Sequence, residues 1–156
     1  MKKIRQQVFE TNSSSTHSIS ISDVDPNMLM GTLPLVDGNV VLEGGRFGWD
    51  QETFHDSQSK ASYLAIYIQS WVPNEEQKQR FKDLFEKVIQ EQTGCQGIVY
   101  NFSTDWNVEG KSWSYIDHQS VENQEYHYLF EDKNLLRNFI FNDNSYLKTD
   151  NDNHYD

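Results

Sequence analysis

One cysteine, no long apolar run and few positive charges mark this chain, and each shortage closes off a class of protein. Cys95 has no partner within the chain, so no internal disulfide forms, and a lone thiol fits a reducing compartment. Beside Gly94 it reads as a small inert core or edge residue. No stretch approaches the roughly 18 consecutive apolar residues of a membrane span, and the basic start Met1-Lys2-Lys3-Ile4-Arg5 lacks the apolar segment of a signal peptide. A soluble cytoplasmic protein is expected. With 13 Lys and Arg against 24 Asp and Glu the formal net charge is −11, a field that repels nucleic acid and anionic membrane. The positive residues sit mainly at Lys2, Lys3 and Arg5 and on one segment holding Lys78, Arg80, Lys82 and Lys87, which makes no continuous phosphate track. Direct binding of nucleic acid or membrane is not expected. A negative surface suits a basic protein partner instead, including a nucleic-acid-binding one whose groove it could occupy, although charge of this size also serves plain solubility. His17, His55, His118, His127 and His154 are isolated from one another and from Cys95, so no usual zinc spacing arises and no metal ligands are assigned, which leaves open a site built from distant His and Asp. There is no G-x-S-x-G elbow, Walker loop or dinucleotide fingerprint, and the sequence implies no particular cofactor.

What the chain does have is aromatic bulk. Only 36% of its 156 residues are hydrophobic, but 9 Phe, 8 Tyr and 4 Trp are among them, and each ring can bury about 150 to 250 Å². A single α+β domain over residues 1–149 is expected, an antiparallel sheet packed against two or three helices, followed by an acidic flexible tail over residues 150–156. Asp56 and its neighbours offer caps for a helix through Ala61, Leu64, Ile68 and Trp71, apolar nearly all round as a central helix would be, and stopped by Pro73. Asn74 and Gln77 form a capping-box variant for a second helix, with Glu75 and Glu76 at its positive end. There Phe81, Leu84, Phe85, Val88 and Ile89 keep helical spacing until Gly94. Asp132 caps a third with Leu135, Leu136, Phe139 and Ile140 inward. A short strand is expected at Asn39-Val40-Val41-Leu42-Glu43, and Asn142-Asp143-Asn144-Ser145 reads as a turn into Tyr146-Leu147-Lys148. Ile98-Val99-Tyr100-Asn101-Phe102 and Ser112-Trp113-Ser114-Tyr115-Ile116 read as the two strands of a hairpin. Tyr126-His127-Tyr128-Leu129-Phe130 fits a strand or a short helix equally. Gly45-Arg46-Phe47-Gly48-Trp49-Asp50 mixes glycine with large rings, which suits core packing or a ligand face and matches no nucleotide fingerprint.

The most site-like stretch is Phe9-Glu10-Thr11-Asn12-Ser13-Ser14-Ser15-Thr16-His17-Ser18. It sets a carboxylate, an amide, an imidazole and a run of hydroxyls between apolar segments, and such side chains suit phosphate, ribose or a base edge. The alternation His17-Ser18-Ile19-Ser20-Ile21-Ser22 has strand period, so the polar run reads as a loop feeding a half-buried strand. A flexible Ser-rich linker is the plainer alternative. The second candidate is the strand end Asp117-His118-Gln119-Ser120, where a carboxylate neighbours an imidazole that titrates near neutrality. Neighbouring strand residues face opposite ways, so a turn or capping role competes with an acid–base one. On this reading Glu10, His17, Asp117 and His118 are the catalytic candidates. Thr11, Asn12, Ser13, Ser14, Ser15, Thr16 and Ser18 are the ligand-binding ones, and both groups are expected to share one site.

The run Val8-Phe9-Glu10-Thr11-Asn12-Ser13-Ser14-Ser15-Thr16-His17-Ser18 resembles the opening of a group of small tailed-bacteriophage proteins. Gly45-Arg46-Phe47-Gly48-Trp49 with Lys60-Ala61-Ser62-Tyr63-Leu64, and Ile116-Asp117-His118-Gln119-Ser120, are also similar to that group. The resemblance implies phage origin and expression in a bacterial cytoplasm. It brings no established activity with it, so no catalytic residue is carried over. Two functions stay open: a phage accessory protein that binds and inhibits or modulates a host protein of defence or nucleic-acid processing through its acidic surface, and a small enzyme or binding protein acting on a nucleotide or phosphorylated ligand through the Ser-rich loop.

Overall fold

Helix α1, Ser57–Trp71, lies at the centre of the molecule, and every residue from 60 to 68 is buried. Asp56 starts it by accepting a hydrogen bond from the Ser59 N–H at 2.8 Å, and the extended backbone at Val72, ahead of Pro73, ends it. The computed structural model describes residues 3–10, 15–48, 50–106, 108–116 and 126–151, with backbone alone at residues 3–10, 15–17, 23, 26, 150 and 151. Helix α2, Glu75–Thr93, is capped by Asn74, whose Oδ1 accepts from the Gln77 N–H at 2.9 Å, and it buries Phe81, Phe85, Val88 and Ile89. Gly94 closes it in the left-handed region at φ +73°. Helix α3, Lys133–Phe141, is capped by Asp132, which accepts from the N–H groups of Asn134 and Leu135. The three helices pack on one another, as the apolar spacing required.

The strands in chain order are β1 Lys3–Glu10, β2 Ser15–Asp23, β3 Leu35–Val36, β4 Asn39–Leu42, β5 Arg46–Phe47, β6 Glu52–Phe54, β7 Gly97–Tyr100, β8 Phe102–Ser103, β9 Ser112–Trp113, β10 Tyr115–Ile116 and β11 Tyr146–Asn151. An antiparallel sheet in the order β1-β2-β11-β6 supports one side of the helices, and Ile19, Ile21 and Leu147 enter the core from it. A smaller sheet has the order β3-β4-β7. Its β3–β4 hairpin turns at Asp37 and Gly38, both at positive φ (52° and 82°), the backbone a two-residue turn of the primed type needs. The result is an α+β domain with three helices, as expected.

The expected hairpin between residues 98–102 and 112–116 does not form. Instead β7 lies parallel to β4, β8 parallel to β9 and β10 parallel to β5. The chain leaves β4, crosses through α1 and α2 and returns as β7 alongside it, the long connection that a parallel pair demands. Residues 126–130 resolve into a 3-10 turn, His127–Glu131. Strand β11 extends to Asn151, so pairing with β2 takes in Asp150 and Asn151, the first two residues of the expected tail. The rest of that tail lies outside the described residues.

A buried cation joins helices to sheet. Lys60 on α1 is 0% exposed and donates from Nζ to the carbonyls of Asn142 (2.8 Å) and Ser145 (2.9 Å). Asn142 Nδ2 donates to the Ser22 carbonyl, and the Ser22 N–H donates to Ser145 Oγ at 2.9 Å. One lysine and two polar residues thus fix the end of α3 against β2. Burial lowers the Lys60 pKa from 10.5 to about 8, against the opposing pull of Asp143 and Asp56.

Candidate functional site

The Ser-rich stretch is mostly strand. Ser15, Thr16, His17 and Ser18 belong to β2, an interior strand, which corrects the expectation of a loop running up to them. Thr16, His17 and Ser18 pair on one side with Glu10, Phe9 and Val8 and on the other with Asp150, Thr149 and Lys148. Ladder pairing on both flanks occupies their main-chain groups, and the Ser18 side chain is buried. Glu10 ends β1, opposite Thr16. Thr149, opposite His17, is buried and donates from Oγ1 to the Asp50 carbonyl at 3.1 Å. The connection itself shrinks to Thr11, Asn12, Ser13 and Ser14, which lie outside the described residues. So do Asp117 and His118, and with them the expected shared site.

The described surface offers a different cluster, built on the strand that leads into Asp117. In Ser112-Trp113-Ser114-Tyr115-Ile116, Ser114 and Ile116 turn inward and are buried, which leaves Trp113 and Tyr115 on the other side. Their rings lie 4.7 Å apart, and Trp106, from the connection between β8 and β9, stands 6.4 Å beyond Trp113. Trp106 is 74% exposed and Trp113 39%. Single exposed apolar residues are ordinary, but two exposed indoles adjoining a half-buried Tyr115 ring are not. Arg46 on β5 covers this row: its guanidinium sits 5.7 Å from the Trp113 ring centroid, and Nε donates to the Trp113 carbonyl at 3.3 Å. Such a cation–π contact contributes about 0.5 to 1 kcal/mol at an exposed position.

The platform is mounted on the core. The Gly45 N–H donates to Ser114 Oγ at 3.0 Å, the Ser114 N–H to the Ser103 carbonyl at 2.8 Å, and the Tyr115 N–H to the Gly45 carbonyl at 3.0 Å. One step back, the N–H groups of Glu43 and Gly44 donate to Gln58 and Ser62 of α1. Gly44 sits at φ +76° against the Phe102 side chain and the Ser114 hydroxyl, which leaves no room for a Cβ. Trp113 and Tyr115 therefore stand on a backbone tied to the central helix.

Sequence reasoning placed a strand here but gave it no site. The signal was present in the alternation of Trp113 and Tyr115 with Ser114, which puts both rings on one face. Among the remaining histidines, His127 packs edge-on against Phe81 (4.9 Å) and Tyr67 (6.1 Å), and burial lowers its pKa against the opposing pull of Glu131. Among the described residues no group of three or more His, Cys, Asp and Glu is placed to hold a metal ion. None of their helices is long and apolar enough to cross a membrane.

Fold and surface together define a small α+β domain presenting a rigid aromatic platform. Comparison with protein-family models, with curated proteins and with solved structures finds no match.

Proposed function

We propose that this chain is a binding protein that engages and modulates another protein, in the manner of a phage accessory protein acting on a host target, with the platform of Trp106, Trp113, Tyr115 and Arg46 as its contact face. The observation that carries this reading is the exposure of two indoles, Trp106 and Trp113, beside the half-buried Tyr115 ring and a guanidinium, on a backbone braced by α1. Trp, Tyr and Arg are the residues that dominate binding energy at protein interfaces, and a rigid mount spares the ordering cost of binding. The net charge of −11 favours a basic partner, such as a nucleic-acid-processing protein, and steers it on approach.

The test compares the tagged wild-type chain with a Trp106→Ala/Trp113→Ala variant as bait in bacterial lysate, followed by titration of the recovered partner at rising salt. A defined partner should be retained by the wild type and lost by the variant, its association should weaken with salt, and its own activity should change when the wild-type chain is bound. Equal retention by both baits would sink the reading, as would the recovery of no partner at all.

A further inference from the structure

A groove of about 220 Å³ opens between α1, α2 and the end of β7, and none of its lining residues belongs to the aromatic platform. Its floor is apolar, with Ala65 and Ile68 of α1 buried at 2% and 3% exposure, and Tyr100 forms one wall. The Tyr100 hydroxyl donates to Glu86 Oε2 at 2.7 Å, which holds the ring in place. Two ammonium groups and one carboxylate, that of Glu75, border the same opening. Lys78 and Lys82 stand four residues apart on α2, the spacing that puts two side chains on one helix face.

Neither lysine is committed to a strong partner. Lys82 Nζ lies 5.5 Å from the Tyr100 ring centroid, and among the described residues no carboxylate lies within ion-pair distance of it. Lys78 meets Glu75 at 3.4 Å, but that carboxylate is 86% exposed, and such solvent-facing pairs contribute about 0 to 1 kcal/mol. An arriving anion can therefore take over Lys78 at small cost. The overall negative charge does not forbid this, because salt screens distant charges beyond about 8 Å at physiological ionic strength while two adjacent ammonium groups act at contact.

Size narrows the ligand. Sites for drug-sized molecules run from about 300 to 1,000 Å³, so a groove of about 220 Å³ suits one small ring or branched chain with a charged head and not a dinucleotide. We propose that the α1–α2 groove binds a small organic anion, its carboxylate or phosphomonoester head between Lys78 and Lys82 and its apolar part on Ala65, Ile68 and the Tyr100 ring. This site differs from the Ser-rich stretch where a phosphorylated ligand was expected, and it does not depend on the protein-binding reading of the platform.

The experiment is a titration of the folded chain with benzoate, phenyl phosphate, inorganic phosphate and phenol, followed by backbone amide NMR. Benzoate or phenyl phosphate should bind saturably, with the largest shifts at residues lining the groove, and the preferred one identifies the head group. Phenol and inorganic phosphate, each lacking one half of the ligand, should bind at least about tenfold more weakly, as should the winning probe with Lys78→Gln/Lys82→Gln; these losses correspond to about 1.4 kcal/mol. Lys82→Arg should keep the affinity, and so should Trp106→Ala/Trp113→Ala, which separates this site from the platform. No saturable binding by either aromatic anion, shifts centred elsewhere, or equal affinity in the double Lys variant would overturn the proposal.

Discussion

Lys60 carries an ammonium group where water does not reach it, and the sign of its effect on stability follows from that. Its pKa falls from 10.5 to about 8 on folding, mainly through burial. Below pH 8 both folded and unfolded chains hold the proton, and the folded state bears the cost of burying the charge. Between pH 8 and 10.5 the unfolded chain binds more protons than the folded one, so stability from this group rises with pH and falls again as pH drops through 8. The span corresponds to about 3 kcal/mol. Urea unfolding from pH 7 to 10.5 should show wild type gaining on the order of 3 kcal/mol relative to Lys60→Met; parallel curves would show that the buried charge is compensated. The difference is the readout because at neutral pH the variant loses two hydrogen bonds while shedding a buried charge, and these effects oppose. Gly44 poses a simpler case. With a positive φ and the Phe102 and Ser114 side chains in the space of a Cβ, Gly44→Ala should cost about 1 to 3 kcal/mol or more by thermal denaturation. An unchanged midpoint would mean that the β4–β5 connection can move aside.

At the scale of the element, the helices are the most local features and the most legible ones. Asp56, Asn74 and Asp132 each accept hydrogen bonds from the first-turn N–H groups of their own helices, interactions that depend on residues two or three positions away. Asp132 satisfies two such donors, and Asp132→Ala should lower stability by about 1 kcal/mol, seen as a lower urea midpoint at constant slope. Asp132→Asn should be nearly neutral; a large loss there would assign the role to charge and not to capping. The strands were less legible. Ile98 to Phe102 and Ser112 to Ile116 had the composition of two strands, but composition names no neighbour. Residues 97–100 and 115–116 pair with β4 and β5, far upstream, and where the two stretches do meet, at Phe102 and Ser112, they run parallel. The Asp37-Gly38 turn, by contrast, was a local signal for the β3–β4 hairpin that the strand pattern alone did not yield.

The whole molecule separates the groups that hold it together from those on its surface. Trp106 is largely exposed and Trp113 more than a third exposed, so replacing both with Ala should cost no more than about 1 to 1.5 kcal/mol of stability in all, of which about 0.5 to 1 is the Arg46–Trp113 contact. The same change should weaken a protein partner by about 2 kcal/mol or more per anchoring ring, roughly 30-fold, in a binding titration. Equal losses of stability and binding would make the platform a structural feature. Salt separates the charge contribution: raising ionic strength should slow association while leaving the contact of the rings largely intact.

The sequence by itself determined the helices, their caps, the all-round burial of α1 and the strand character of residues 17–22, because each rests on spacing and hydrogen bonds within a few residues. It also put Trp113 and Tyr115 on a common face through the two-residue period of a strand. Only the tertiary structure decided that this face looks outward, because burial of Ser114 depends on Gly44 and Gly45 of the β4–β5 connection and Ser103 of β8 coming together around it. The polar run failed as a loop for the same reason. Hydroxyl side chains predict solvent when the backbone has no partner, but residues 15–18 acquire partners from β1 and β11, one a neighbour in the chain and the other more than a hundred residues away. Pairing across that distance is a property of the folded chain, and no local pattern encodes it.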